Sequence, residues 1–280
     1  MIPALIPIDH GGIVVMNSII VLAWLSFSFL FWRGLRAVAV EEDRIFDLTF
    51  YMTLVAFVAA RFGFVLTHWE LFSGKSPLLI VALWVSPGLS WLAALVGGLA
   101  ACVALSRQYK VRLGLVLDTL SAALPLPIIL GEAGSLITGA ELGVASKLPW
   151  ALRIGTDGIL RHPIQLYEMI GLIIISVIML RLNARSVRNK WPYGITGIWF
   201  FLLYAVTAFL LEFLKDARVY WSTLSANQWV LIGIFAECVG VLYVRGGGRE
   251  HLRPFAHRLL KFLEEKGTKL HESISRRHTD

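Results

Sequence analysis

One segment of the chain, RHPIQLYE at residues 161–168, gathers side chains that can bind an anion and move a proton. Its proline suits the first turn of a helix, where a missing N–H leaves nothing unpaired. Arg161 and His162 then precede the helix, where free backbone N–H groups and the helix dipole favour an anion. Gln165 and Glu168 are three residues apart and share a face. The segment predicts a site for an anionic group, although His162 taken alone also fits an ordinary interfacial histidine.

Four ionisable residues lie inside apolar stretches, namely Arg61, Glu132, Glu212 and Glu237. A central arginine costs about 3 kcal/mol on membrane-insertion scales, so it needs a partner or a water-filled cavity. Two explanations stay open for each residue. One is a polar cavity for a lipid headgroup, and the other is a structural ion pair, for example Arg61 with Glu132 or Glu212. For the group as a whole, the cavity is favoured.

Spaced glycines precede the 161–168 segment, at Gly131, Gly134, Gly139 and Gly143. Glycine lets helices approach closely, and it lets backbone N–H groups reach a ligand. The spacing fits either role. The segment KLPWALRI that follows is aromatic and basic, which is typical of a membrane interface.

The composition of the chain indicates whether water or membrane lipid surrounds the elements that carry these residues. Of the 280 residues, 57% are hydrophobic and 16% are charged, and the mean hydropathy is +0.70. Soluble domains carry about 25% charged residues, so a large soluble domain is excluded. An outer-membrane barrel is excluded too, because the apolar runs are continuous. Both cysteines, Cys102 and Cys238, lie in apolar runs, so neither a disulfide framework nor a metal site is expected.

Seven apolar stretches predict an all-α polytopic membrane fold, since about 20 apolar residues span a bilayer as a helix. The third stretch is too long for one span and is broken at Pro87-Gly88, which predicts a short re-entrant piece before the spanning helix. The fourth is expected to bend or end at Pro125 and Pro127. The stretches are Ile13–Trp32, Phe46–His68, Leu78–Leu105, Leu113–Ile129, Ile164–Leu182, Gly194–Leu214 and Trp229–Val244.

The distribution of basic residues predicts the orientation. Of 26 Lys and Arg residues, 19 flank one side of the predicted spans, six flank the other, and Arg61 lies within a span. The positive-inside rule then places the N-terminus outside and the C-terminus in the cytoplasm. The loop at 140–163 faces outward. The +7 net charge is thus a topology signal, and no nucleic-acid partner is expected.

The sequence predicts two parts, a transmembrane domain at 1–245 and a basic tail at 246–280. The glycines at 246–248 form the linker. Leu252, Phe255, Leu259 and Leu263 recur at helical spacing with basic residues between them, which favours an amphipathic helix on the inner membrane surface. A solvated basic tail that only sets topology explains the pattern equally well.

The motifs resemble those of the prolipoprotein diacylglyceryl transferase family. RHPIQLYE resembles its R-H-P-S-Q-L-Y-E, and GEAGSLITGAELG at 131–143 resembles its G-R-x-G-N-F-I-N-G-E-x-x-G. AARFGFVLTHW resembles its G-A-R-x-G-Y-V-x-x-x-W, and YGITGIWFFLLYAVTAFLLEFLK resembles its G-x-x-x-G-x-F-L-x-x-Y-G-x-x-R-F-x-x-E-F-x-R. A late glutamine, Gln228, also fits. The likeness runs from the second span to the seventh.

The resemblance implies an enzyme that moves the diacylglyceryl group of phosphatidylglycerol, or a similar anionic phospholipid, to a lipobox cysteine thiol. It implies work at the outer leaflet of the bacterial cytoplasmic membrane, the signal segment of a prolipoprotein as acceptor, and no cofactor or metal. His162, Arg161 and Glu168 are the expected catalytic residues. The expected substrate-binding residues are Arg61, Gly131, Gly134, Ser135, Gly139, Glu141, Gly143, Gln165, Tyr167 and Glu212.

Three departures from the family pattern make a second function plausible. The signature arginine is Glu132, the histidine of a third-span H-G-G motif is Leu92, and the arginine of R-F-x-x-E-F is Ala208. A carboxylate beside a phosphodiester repels it, and it cannot supply the anion clamp. The alternative is a catalytically inactive family member that binds phospholipid or lipoprotein. A small-solute transporter is disfavoured, because the two halves show no symmetry.

Overall fold

A computed structural model describes residues 10–83, 85–86, 88–154, 158–216, 219 and 223–245. This part of the chain is helical apart from one two-stranded antiparallel ribbon, β1 (Leu152–Arg153) with β2 (Leu160–Arg161). The α-helices are α1 (His10–Ala37), α2 (Glu42–Thr67), α3 (Trp91–Gln108), α4 (Leu113–Ala123), α5 (Pro125–Thr138), α6 (Ile164–Arg188), α7 (Ile195–Glu212) and α8 (Ala226–Arg245). Short 3₁₀ helices lie at Trp69–Leu71 and Pro77–Ile80.

The helices confirm the predicted all-α polytopic membrane fold. Within the described residues, six helices are long and apolar enough to cross a membrane, and α4 with α5 supplies a seventh when the bent pair counts as one span. The bend between α4 and α5 is 41°. It falls where Pro125 opens α5, because a proline has no N–H to continue the hydrogen bonds of the preceding helix.

The fourth span ends later than the sequence predicts. The fourth span was expected to stop at Ile129, but α5 continues to Thr138 and ends at Gly139, whose φ of 66° lies in the left-handed region. Glu132 and Ser135 are therefore helical. The third stretch does break as expected, since α3 begins only at Trp91, after Gly88 with its φ of 151°. Pro87 lies outside the described residues.

Packing within the first 235 residues forms a continuous bundle. Helix α1 contacts α2, α4 and α5, while α7 contacts α4 and α6 and α3 packs along α2. Phe31, Leu35 and Phe200 are among its buried core residues. Large apolar side chains such as Leu66 and Leu180 remain exposed on the outside, as expected for a surface solvated by lipid.

The end of α5, the start of α6 and the end of α7 lie at one end of the bundle, where the backbone of Val144 hydrogen-bonds to both His162 and Leu214. The basic turns at 107–112 and 185–190 follow the opposite ends of α3 and α6, and the positive-inside rule predicts that these turns face the cytoplasm. The end that carries Gly143, Arg161 and Glu212 is therefore the predicted outward end, and it is called the outward end.

Chain contacts divide the protein into two compact units, Met1–Phe235 and Ala236–Asp280. In the second unit, the described residues are 236–245, which complete α8. The predicted glycine linker and the amphipathic tail lie outside the described residues, so their boundary at residue 246 stays a prediction.

At the end of the bundle away from the 161–168 segment, Asp118 of α4 caps the N-terminus of α7. Its carboxylate accepts hydrogen bonds from Gly194 N at 2.7 Å, Thr196 Oγ1 at 2.6 Å and Gly197 N at 2.8 Å. A Cβ on Gly197 would lie 2.5 Å from the backbone of Leu117, so glycine is what lets the helices approach this closely. One carboxylate thus satisfies donors that a helix start otherwise leaves unpaired.

Replacing Asp118 by alanine is expected to destabilise the α4–α7 contact. Loss of the shared acceptor leaves buried donors unpaired, which costs about 1–3 kcal/mol. The apparent melting temperature in detergent should fall, and T196V, which removes one of the three bonds, should lower it less. Asp43 is an exposed carboxylate on α2, so D43N is the matched control. An unchanged melting temperature in D118A would contradict the capping role.

Candidate functional site

A short extended strip at residues 142–146 holds the outward end of the bundle together. On one side, Val144 N donates to Leu214 O at 2.8 Å and Asp216 N to Leu142 O at 2.9 Å. On the other side, His162 N donates to Val144 O at 3.1 Å. The strip therefore fixes the residues after α7 next to the residues before α6, which are far apart in sequence.

Gly143 lies at the centre of this strip, and the site needs its missing side chain. A Cβ there would lie 2.2 Å from the backbone oxygen of His162. The carbonyl of Gly143 accepts a hydrogen bond from Arg161 Nη1 at 3.0 Å, and the same nitrogen lies 3.2 Å from Asp216 Oδ2. Arg161 is buried, and its cation is anchored to the strip and to Asp216.

The other predicted glycines separate into different roles. At Gly134 a Cβ would lie 3.1 Å from side-chain atoms of Met16 and Ile19, so this glycine permits contact between α5 and α1. Gly131 has open space around the same position, and Gly139 ends α5. Of these four glycines, Gly143 is the one that touches the backbone of the 161–168 segment.

Gln165 connects α6 to the segment that follows α5. Its side chain is fully buried, and Nε2 donates to Glu141 O at 2.9 Å and to Ser135 Oγ at 3.4 Å. Two segments that resemble family motifs are thus joined directly by hydrogen bonds, which the sequence did not predict.

His162 lies in a small aromatic group. Its Nδ1 is 3.3 Å from the hydroxyl of Tyr167, and that hydroxyl accepts a hydrogen bond from Trp150 Nε1 at 2.7 Å. The ring of His162 is half-buried, and its centroid is 6.0 Å from that of Tyr167 in an edge-on arrangement. This contact fixes the orientation of the imidazole.

Lys215 is the cation at the centre of the site. Its Nζ lies 2.9 Å from Glu168 Oε1, 3.0 Å from Glu141 Oε2 and 3.7 Å from Glu212 Oε2. Burial alone lowers the pKa of Lys215, but the carboxylates of Glu168, Glu141 and Glu212 outweigh burial and raise that pKa above its ordinary value. The ammonium is therefore charged at neutral pH.

Carboxyl groups outnumber the cations that contact them. One oxygen each of Glu132, Glu141 and Glu168 lies within 4.8 Å of the others, a spacing that would fit a metal ion. The contact of Lys215 with two of them already supplies positive charge there. Glu212 is buried, and its Oε1 accepts hydrogen bonds from Ser225 Oγ and Asn227 Nδ2, both at 2.9 Å.

A cleft runs from these carboxyl groups down between α5, α6 and α7. Its volume is about 20 Å³, room for about one water molecule, so in this conformation it is a narrow opening between the helices. Its polar lining residues include Glu132, Glu168 and Tyr204, and the Tyr204 hydroxyl accepts a hydrogen bond from Trp91 Nε1 at 2.8 Å. The rest of the lining is Ile128, Leu172, Ile175, Thr207, Ala208 and Leu211.

Arg61 does not join this group. Its three guanidinium nitrogens donate to the carbonyls of Leu79, Ile80, Ser86 and Gly88 at 2.6–3.0 Å. The ring centroids of Phe64 and Phe72 lie 5.8 and 5.3 Å from the guanidinium carbon. Neither of the ion pairs considered from sequence, with Glu132 or with Glu212, is therefore formed.

Sequence reasoning did not single out Lys215, Trp150 or Tyr204. Lys215 was counted only as an outward charge, although it follows Glu212 by three residues and falls at the basic position that ends the E-F-x-R pattern. That spacing was a usable signal. Trp150 and Tyr204 reach the site through contacts between distant segments, which no local pattern reveals.

Comparison with known proteins covers nearly the whole described chain. The family model for prolipoprotein diacylglyceryl transferase matches residues 3–244. Proteins named phosphatidylglycerol–prolipoprotein diacylglyceryl transferase are similar to this chain. The one from Geobacter sulfurreducens is 28% identical over 201 residues, 70% of this chain and 75% of the relative. The one from Wolbachia of Brugia malayi is 27% identical over 78% of this chain and 85% of the relative. The one from Bordetella avium is 29% identical over 74% of this chain and 79% of the relative.

Exchanging Arg61 for lysine is expected to loosen the 79–88 segment. A lysine ammonium is a compact group without the planar fork of arginine, so it cannot reach all four carbonyls. Amide hydrogen exchange in residues 79–90 should accelerate in R61K, while R33K, at an exposed arginine of α1, should leave it unchanged. Equal protection in R61K and wild type would refute this role.

Exchanging Lys215 for methionine is expected to cost about 3 kcal/mol of stability, because it leaves partly buried carboxylates without their cation. The double variant K215M/E168Q should recover part of that loss, and K215R should retain most of the stability. K147M, at an exposed lysine on the same side, is the control. Chemical unfolding in detergent measures the free energy of unfolding of each variant. Equal stability of K215M and K147M would contradict a stabilising role for the contacts between Lys215 and its carboxylates.

Proposed function

The chain belongs to the prolipoprotein diacylglyceryl transferase family, and we propose from this premise that it transfers a diacylglyceryl group from a phospholipid to the thiol of a lipobox cysteine. The names of the relatives give phosphatidylglycerol as donor and a prolipoprotein as acceptor. Phosphatidylglycerol, or a similar anionic phospholipid, is therefore the first donor to test, and the signal segment of a prolipoprotein is the proposed acceptor.

One observation carries this proposal beyond family membership. The three segments with family-like motifs, 131–143, 161–168 and 212–215, converge at the outward end of the bundle beside a single cleft. The lining combines the carboxyl groups of Glu132 and Glu168 with apolar side chains such as Leu172 and Leu211. Polar and apolar groups side by side suit contact with a phospholipid, which carries both.

The proposed location is the bacterial cytoplasmic membrane, with the site at its outer leaflet. The outward position of the 139–163 loop and the basic cytoplasmic turns support this orientation. No nucleic-acid partner is proposed.

The reaction requires a base for the thiol and positive charge for the leaving group. The thiolate sulfur attacks the carbon of the acylated glycerol that carries the phosphate. A C–S bond forms there, and the bond from that carbon to the phosphate oxygen breaks. Glycerol phosphate leaves with that electron pair. We assign proton removal to His162 or Glu168, whose side chains lie within hydrogen-bond distance of Tyr167 and Lys215, respectively.

Arg161 and Lys215 are the cations proposed to face the phosphate. Arg161 is held against the strip by Gly143 O, which preorganises its guanidinium. Gln165, Tyr167, Ser135 and Glu141 are proposed to position the headgroup through the hydrogen bonds described above. Arg61 is proposed to act indirectly, by fixing the 79–88 segment.

A second function is favoured by the residues that line the cleft. Where the family pattern has arginine, this chain has Glu132 and Ala208, and both lie in the lining. Leu92, in place of the histidine, is buried. A member that binds phospholipid or lipoprotein without turnover is therefore the alternative.

Cells whose own transferase has been switched off provide the test of activity. Supplying this chain should restore the lipid on a lipobox substrate, detected as a shift in mass. R161A and H162A are expected to lower the rate of lipidation about a hundredfold or more, the effect of losing a transition-state donor or a proton-transfer group.

The matched control is K147A, at an exposed lysine on the same side of the membrane, which should support normal lipidation. All variants must accumulate in the membrane to wild-type levels. A wild-type chain that accumulates without lipidating the substrate, yet retains phospholipid on purification, would replace the transferase by the binding function.

A further inference from the structure

The hydroxyl of Tyr167 takes part in two hydrogen bonds, and its single proton can serve only one of them. Trp150 Nε1 lies 2.7 Å from the hydroxyl oxygen, and an indole nitrogen can only donate. Tyr167 therefore accepts in that bond and keeps its own proton for another acceptor. The second atom in contact with the hydroxyl is His162 Nδ1, at 3.3 Å.

The count of donors and acceptors then assigns the proton of the neutral imidazole. If Tyr167 donates to Nδ1 of His162, that nitrogen carries no proton, so the proton is on Nε2. The opposite assignment, with Nδ1–H donating to Tyr167, makes the hydroxyl oxygen accept twice. The hydroxyl proton then has no acceptor among the residues that the structure describes. Because Tyr167 is partly buried, an unmade bond is costly, and the first assignment is favoured.

The backbone holds these rings together at the outward end. Leu152 pairs with Arg161 in the β1–β2 ribbon, which places Trp150 beside the start of α6. His162 N donates to Val144 O at 3.1 Å, so the residue that carries the imidazole is itself fixed. Within the described part of the chain, no hydrogen bond engages Nε2 of His162, and its N–H is left for a ligand.

We propose that Trp150 and Tyr167 hold His162 with its proton on Nε2, so that His162 donates a hydrogen bond to a phosphate oxygen of the donor lipid. Neither ring nitrogen is then able to take the thiol proton, because Nδ1 accepts from Tyr167 and Nε2 is protonated. Trp150 and Tyr167 are positioning residues that act through His162. The inference rests on the proposed function and decides between the two groups named there for proton removal.

The transfer step balances without a proton from His162. The thiol proton passes to the carboxylate of Glu168, the other group assigned to its removal. The thiolate forms the C–S bond, and the electron pair of the broken C–O bond stays on the phosphate. The Nε2–H group stabilises that charge and keeps its proton. His162 and Glu168 thus have separate tasks, as donor and as base.

Amide replacements of His162 distinguish a donor from a base. The side-chain nitrogen of glutamine occupies nearly the place of Nε2, that of asparagine nearly the place of Nδ1, and neither amide is a base. In the lipidation assay, H162Q should keep the rate within about tenfold of wild type, whereas H162N and H162A should lose about a hundredfold, the effect of a lost transition-state donor. An H162Q protein that accumulates normally but is as slow as H162A would overturn the proposal.

Nitrogen-15 spectra of the purified full chain, labelled at histidine, test the roles of Trp150 and Tyr167 without turnover. At alkaline pH, His162, identified by the signals missing from H162Q, should carry its proton on Nε2 and accept a hydrogen bond at Nδ1. Y167F should shift the Nδ1 signal to that of an imidazole without this bond, and W150F should shift it in the same direction by less. Y51F, at an exposed tyrosine of α2, is the matched control. A proton on Nδ1 in wild type, or an Nδ1 signal unchanged in Y167F, would contradict the assignment.

Failure of the proposed function looks different. Retention of phosphatidylglycerol on the purified chain, counted by native mass spectrometry, should be similar in wild type and H162Q and about tenfold lower in H162A, the lower range for a hydrogen bond to a charged group. That pattern without any lipidation would refute transferase activity and leave the donor role standing. Lipidation by wild type that is lost equally in H162Q and H162A would support the transferase and overturn the donor role.

Discussion

The outward end of this protein depends on the ammonium of Lys215 and the carboxylates that surround it. Glu141 follows α5, Glu168 lies on α6, and Glu212 ends α7, and each lies within 4 Å of the same nitrogen. Three segments that are distant in sequence are thus tied to one charge. Because a partly buried charge is costly without partners, the arrangement is specified only when all three segments are in place. The extended strip at 142–146 supplies the backbone contacts that bring them there.

Much of the fold was predictable because the bilayer imposes simple rules. Long apolar runs became helices, and the bend at Pro125 followed from the chemistry of proline. The continuation of α5 to Thr138 was not predicted, because the continuous apolar run stops at Ile129, where glycines and the polar Glu132 begin. Contacts with α1, made possible at Gly134, favour the helix over that local preference.

The sequence predicted several residues that lie near one another, but it did not predict the contacts they make, and the roles of the site residues stay a prediction. The family-like segments identified Arg161, Gln165 and Glu168, and these residues do lie together. The partner of Arg61 was not predictable, because it is a set of backbone carbonyls and carbonyls carry no sequence signal. The ion pairs of Lys215 were not predicted for a related reason. Their carboxylates come from three elements whose proximity depends on the tertiary fold.

The proposed function depends on this site presenting a phospholipid to a lipobox thiol. The most direct measurement is the mass of a lipobox peptide after incubation with the purified protein in vesicles containing both phosphatidylglycerol and phosphatidylethanolamine. The cysteine should gain one diacylglyceryl group, and this gain should be absent in protein-free vesicles and in a peptide with serine in place of that cysteine. An unmodified peptide, in the presence of folded protein that retains lipid, would contradict it.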